Sequence, residues 1–254
     1  LALPNLLRLI YRNIRVNTDP GSLIILVGLP ALYLVFFGFG FQSLAGGSGS
    51  GSYIDYLTPG IMSFQAVMAG TVGGSMLWAD RRYGMLAQLL VGPFTRLQYL
   101  LGIMFTSVLF ALGGAAMMMG MAFALVEVPA LSALNVLVMF AIITLGAIFF
   151  GSLMLLIAAL VKSNNAYNSV QILVIFVVNF ASTVFYPLSS SLPVALRYLF
   201  LINPLTYIAN AVRGAFTGTL SASEGIQVAV LAVETVVVLF LATRAYLRSD
   251  VSLE

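Results

Sequence analysis

An all-helical, polytopic membrane protein with six spans is the fold class this sequence predicts, and three observations predict it. Of 254 residues, 61% are hydrophobic and only 7% are charged, against roughly a quarter charged in an ordinary soluble domain. Apolar stretches of the roughly 20 residues that a bilayer core demands recur along the chain. The positive charges fall almost wholly in alternate connecting segments. Water does not keep so apolar a surface dispersed, so lipid is the solvent for most of the chain. A soluble enzyme and a nucleic-acid-binding module are excluded. His and Cys are both absent, which excludes disulfides, Cys/His zinc sites, thiol nucleophiles and imidazole catalysis.

The expected spans lie near residues 23–41, 60–77, 97–126, 131–161, 170–186 and 226–247 of a single transmembrane domain, 1–254. The third and fourth are long enough to tilt. The fifth is short, and the half-apolar stretch 187–220 that follows is interrupted by Pro187, Pro193 and Pro204. It reads as surface or re-entrant helices at one membrane face. With the N-terminus inside, the cytoplasmic segments hold Arg8, Arg12, Arg15, Arg81, Arg82, Arg96, Lys162, Arg244 and Arg248, and the external ones only Arg197 and Arg213. Both termini are therefore expected on the cytoplasmic side of the plasma membrane. Residues 46–52, all Gly and Ser, form an uncharged linker in the first external loop. The two halves carry no inverted repeat of broken helices, the pattern that builds secondary transporters.

Within this frame four features carry chemistry. At the N-terminus Leu3, Leu6, Leu7, Ile10 and Ile14 recur at helical spacing while Arg8, Arg12 and Arg15 share another face. Such a helix suits either an interfacial anchor or a docking surface for a cytoplasmic partner. In the loop 78–96, Met85, Leu86, Leu89 and Leu90 form one face of a short helix that Gly92-Pro93 stops, with Asp80, Arg81 and Arg82 at its beginning. Its apolar and charged faces suit a groove on a soluble partner, or lipid headgroups alone. Further on, Asn203-Pro204 starts a helix with Pro at its first position, placing Tyr207, Asn210 and Arg213 on one side. Inside the spans, Glu234 is a candidate site by its depth. It faces a water-filled path, pairs with Arg213, or bonds a neighbouring helix. Gln65, Asn179 and Phe180 are candidates to line a substrate path, and interhelical polar contacts explain the amides equally well. The Gly and Met cluster 113–120 reads as close helix packing. The acids are scattered, so neither a catalytic carboxylate pair nor a metal site is expected.

No phosphate-binding loop of the form GxxxxGK[ST] exists. The one lysine, Lys162, follows Val161 rather than Gly. The chain is expected to hydrolyse no ATP and to bind no cofactor itself. Any pumping draws on a separate ATPase subunit or an ion gradient.

The segment Asn203-Pro204-Leu205-Thr206-Tyr207, with Arg213-Gly214 downstream, resembles the signature of the ABC-2 family of ABC-transporter permeases. The resemblance extends to Tyr56-Leu57-Thr58-Pro59-Gly60, to the loop from Arg82-Tyr83-Gly84 through Gly92-Pro93, and to Phe185-Tyr186-Pro187-Leu188. The chain resembles the drug-efflux-like branch of bacterial or archaeal exporters. One such motif alone carries little, whereas four in order cover essentially the whole chain. The resemblance implies a connecting helix at 1–17, a coupling helix at 79–91 and an external re-entrant region at 187–220. It also implies a homodimer of permeases driven by two copies of a cytoplasmic ATPase subunit that carries ATP and Mg. Asp80, Arg81, Arg82, Tyr83, Met85, Leu86, Gln88, Leu89, Arg8 and Arg12 become the expected ATPase contacts. The expected cargo is a hydrophobic or amphipathic molecule moved outward. A lipid-linked glycan is the alternative, and ion coupling through Glu234 a third reading.

Overall fold

The computed structural model describes residues 2–44, 53–125, 131–189 and 192–249, and every regular element among them is helical. Helix α1 (Ala2–Val16) leads through a turn to α2 (Pro20–Leu23), a π-helical turn Ile24–Gly28, and α3 (Leu29–Leu44). Asp19 caps α2, accepting from the Ser22 amide at 3.1 Å and the Ser22 hydroxyl at 2.6 Å, with Pro20 at the first helical position. The π turn has a local cause in Pro30, which brings no N–H and whose ring would meet the carbonyl four residues back. One extra residue in the turn relieves both. The linker 46–52 lies outside the described residues.

Helix α4 (Tyr53–Arg82) is the axis of the bundle. It packs against α6 (Arg96–Leu125), α7 (Ala133–Leu160), α10 (Pro204–Thr217) and α3, and every residue from Leu57 to Gly70 is buried. Small residues allow that closeness: a Cβ on Gly70 would stand 2.7 Å from the Phe150 backbone. Between α4 and α6 lies the short α5 (Met85–Val91), and after α7 come α8 (Asn164–Phe180), α9 (Val194–Ile202), α10 and α11 (Ala222–Arg248). A capping box at Ser221 and Glu224 starts α11.

Among the described residues four stretches are long and apolar enough to cross a membrane: Pro20–Gly40, Arg96–Ala124, Ala133–Leu160 and Ala222–Arg248. They correspond to the first, third, fourth and sixth expected spans. The second falls within α4, whose Gly, Ser and Gln content lowers its apolarity, and those residues face protein rather than lipid. The fifth requires correction. Its helix is α8, running Asn164–Phe180 instead of 170–186, and residues 181–186 are turns. The cluster 113–120 also packs less uniformly than expected. Gly114 meets Gln65, but Gly113 and Gly120 have open space around them.

Candidate functional site

Most of the charged residues singled out by the sequence gather at the two ends of α4. At its Arg82 end, α1 lies along α6 with Leu9 and Asn13 buried against Gly102. This rotates the helix from the expected orientation, leaving Leu7 59% exposed. It also separates the three arginines. Arg8 and Arg15 stay outside, whereas Arg12 turns inward and forks onto Asp80, with N–O distances of 2.6 and 2.5 Å. The Tyr99 hydroxyl donates to the same carboxylate at 2.8 Å. The hydrogen bonds to Asp80, with its charge, hold the Arg12 guanidinium above its ordinary pKa.

Asp80, Arg81 and Arg82 therefore do not begin the coupling helix; they end α4. The chain turns at Gly84, whose φ of 70° lies in the left-handed region that glycine enters without steric cost, and α5 starts at Met85. Arg81 is buried and donates to the carbonyls of Ala158 at 2.7 Å and Ala159 at 3.4 Å, closing the C-terminus of α7. It cannot serve as a surface contact, and Asp80, spent on Arg12, offers little. Leu86 is likewise buried in its own chain, and Leu89 is half-buried beside it. What remains outward is Arg82, Tyr83, Met85, Gln88 and Val91, with Arg8 nearby on α1. The Asn5 amide donates to the Pro93 carbonyl at 3.1 Å and ties the two segments together. Trp78 donates to Asn164 at 2.9 Å and stacks on Tyr167 at 5.3 Å between centroids, anchoring α4 to α8. Sequence reasoning missed Trp78, Tyr99 and Asn13. The single Trp of the chain, next to the charge cluster, was the only available signal.

At the Tyr53 end three separate motifs converge. Tyr53 and Tyr56 donate to the carbonyls of Phe185 at 2.6 Å and Thr183 at 2.7 Å. Gly60 leaves no room for a Cβ, which would lie 2.5 Å from the Val184 carbonyl oxygen. Asn203 accepts from the Leu205 amide at 3.0 Å and donates to the Val178 and Ala181 carbonyls, both at 2.7 Å, stitching α10 to the end of α8. Arg213 donates to Tyr56 O at 3.3 Å, Asn210 Oδ1 at 3.3 Å and Thr183 O at 3.0 Å. Its guanidinium carbon sits 3.8 Å from the Tyr56 ring centroid. Its hydrogen-bond partners are thus carbonyls and an amide, with a ring beneath and the charge of Glu224 nearby; of the alternatives open for Glu234, pairing with Arg213 is not the one seen. The Tyr207 hydroxyl donates to Leu201 O at 2.5 Å, and Gly214 lies against the Glu224 carboxylate.

The four residues expected to line one path occupy separate environments. Gln65 is buried against α6 at Gly114, and neither of its amide atoms has a hydrogen-bond partner among the described residues. Asn179 is buried on α8, and its side-chain oxygen has no hydrogen-bond partner among the described residues. Phe180 stacks between Phe176 and Phe185. Glu234 sits on α11 with one carboxylate oxygen buried and unpartnered among the described residues.

A sequence model of one family, described as ABC-2 type transporter, matches residues 5–217. That range takes in α1, the α4–α5 joint and the three motifs that meet at the Tyr53 end. The chain belongs to the ABC-2 type transporter family: it is a transmembrane permease subunit of an ABC transporter, a class that works with an ABC ATPase subunit. No curated protein matches the chain.

Proposed function

We propose that this ABC-2 permease pairs with a second copy of itself, is driven by two cytoplasmic ATPase subunits, and exports a hydrophobic or amphipathic substrate. The observation that carries the reading is the joint behind α5. The forked Arg12–Asp80 pair fastens α1 to α4, and the outward residues Arg82, Tyr83, Met85 and Gln88 are left for a partner. ATP and Mg belong to the ATPase subunits, whose hydrolysis supplies the energy. In this chain, α5 receives the motion. Buried Leu86 keeps α5 from swinging free of the bundle. Arg12–Asp80 makes α1 and α4 move together, and Arg81 and Trp78 pass the movement to α7 and α8.

The basic residues at the α5 end favour placing that end and both termini in the cytoplasm. The substrate class is inferred from the spans, whose amides Gln65 and Asn179 are enclosed by protein rather than exposed to lipid. Arg82→Glu is expected to reduce both co-purification of the ATPase subunit and the substrate-stimulated ATPase rate. If both stay at wild-type levels, the docking assignment fails. Competition in proteoliposomes by a lipid-linked glycan, and not by hydrophobic drugs, would move the substrate to the glycan class.

A second reading has in its favour the one Glu234 carboxylate oxygen that is buried without a partner among the described residues. Transport abolished by Glu234→Gln yet indifferent to the ATPase subunit would support an ion-coupled path instead.

A further inference from the structure

We infer that the cleft between the ends of α7 and α11 is a binding site for the phosphate headgroup of an anionic membrane lipid. The cleft is open to one side and offers about 600 Å³, within the roughly 300–1,000 Å³ of ligand clefts. Arg81, Lys162, Arg244 and Arg248 line it, and no acidic residue does so among the described residues. Its remaining wall is apolar, with Leu160 on α7 and Leu241 on α11 running back along the two spans.

Cations gather at helix C-termini because carbonyls there lack partners, and that simpler account has to be tested first. Both helix ends are already served. Arg81 takes the Ala158 and Ala159 carbonyls of α7, and Arg96 donates to Leu247 O at 3.0 Å and Ser249 O at 3.3 Å at the end of α11. The side chains of Lys162, Arg244 and Arg248 make no hydrogen bond or ion pair among the described residues. Arg244 and Arg248 stand one helical turn apart, a spacing at which like charges repel. Three cations in excess of capping, beside leucines 65% and 45% exposed, call for a ligand that joins an anion to a hydrocarbon chain. A free phosphate would neutralise the cations and leave Leu160 and Leu241 uncovered. A phospholipid answers both, as at basic pockets between transmembrane helices generally. Bound there, it bridges α7 and α11 at the end where Arg81 also fastens α4, so occupancy would stiffen three helices at once. The site is independent of the transport reading above.

The test uses the full chain in nanodiscs of phosphatidylcholine alone or mixed with phosphatidylglycerol, with retained lipid read by native mass spectrometry and stability by thermal melting. Wild type is expected to retain phosphatidylglycerol and melt higher in its presence. Arg244→Gln/Arg248→Gln should weaken that retention roughly 30-fold while melting like wild type in phosphatidylcholine, because both side chains are exposed. Arg244→Lys/Arg248→Lys should keep it. The control Arg15→Gln/Arg197→Gln removes as much charge elsewhere and should retain lipid normally. Equal loss in that control, or equal retention of the two lipids by wild type, overturns the site. Displacement of phosphatidylglycerol by inorganic phosphate at comparable concentration overturns the lipid assignment in favour of a free-anion site.

Discussion

The two ends of α4 each hold a partly buried arginine contact, and they solve its electrostatics in different ways. At the Arg82 end Arg12 meets a carboxylate, Asp80, 68 positions away in the chain, and Tyr99 completes the site. At the Tyr53 end Arg213 meets carbonyls, an amide oxygen and the face of Tyr56. A charge pair between two helices holds strongly while both partners are present and leaves a stranded charge when one departs. A cation whose hydrogen-bond acceptors are all neutral strands no hydrogen-bonded charge when it is lost, and Glu224 acts on Arg213 only through its charge. The first arrangement suits a joint that transmits force from an exposed neighbour such as α5, and the second a closure that seals the far end of the bundle.

This contrast orders the expected effects of substitution. Asp80→Ala should cost most, about 3 kcal/mol in thermal or denaturant unfolding in detergent, because Arg12 and the Tyr99 hydroxyl both lose their acceptor. Adding Arg12→Ala should recover part of that loss, and a double-mutant cycle reads the coupling. Arg213→Met should cost about 2 kcal/mol, the loss of several bonds to neutral groups. If it costs more than Asp80→Ala, the distinction between the two ends collapses. Trp78→Phe keeps the ring on Tyr167 and loses only the bond to Asn164, for about 1 kcal/mol. A larger loss would make α8, rather than α1, the main anchor of the Arg82 end.

Asp19→Ala should act least, fraying the first turn of α2 in amide exchange at Ser22. The Ser22 hydroxyl and amide hold the Asp19 carboxyl below its usual pKa. The cap's contribution is therefore present above the ordinary carboxylate range and fades as pH falls through the lowered value. Protection at Ser22, taken relative to the intrinsic exchange rate at each pH, that does not fall in acid would contradict this.

Much of the fold was legible from local pattern. Hydropathy located the helices that became α1, α3, α4, α6, α7 and α11, and the Asn203-Pro204 pair marked the start of α10 with its cap in place. The convergence of Tyr56–Gly60, Thr183–Phe185 and Arg213 was legible only as separate motifs. The errors have physical causes. The charge run 80–82 read as the start of a helix because it precedes an amphipathic stretch, yet the helix ahead continues to Arg82 and breaks only at Gly84. The α1 face was misjudged because hydrophobicity alone favoured Leu7, whereas Gly102 on α6 admits Leu9. The fifth span slid toward its apolar half because Asn164, Asn165 and Asn168 look like loop residues.

The sequence by itself determined that the chain is helical and apolar enough to live in lipid, and that these 254 residues carry few charges. Those properties follow from composition and from periodicities a few residues long. Only the tertiary structure decided which charges are spent inside the protein. Arg12 and Asp80, or Arg81 and the end of α7, lie far apart in the chain, and a helical pattern is silent about which neighbour a face will meet. Burial and hydrogen bonding between distant helices set that choice. They turned a row of similar arginines into a joint, a helix cap and an exposed remainder.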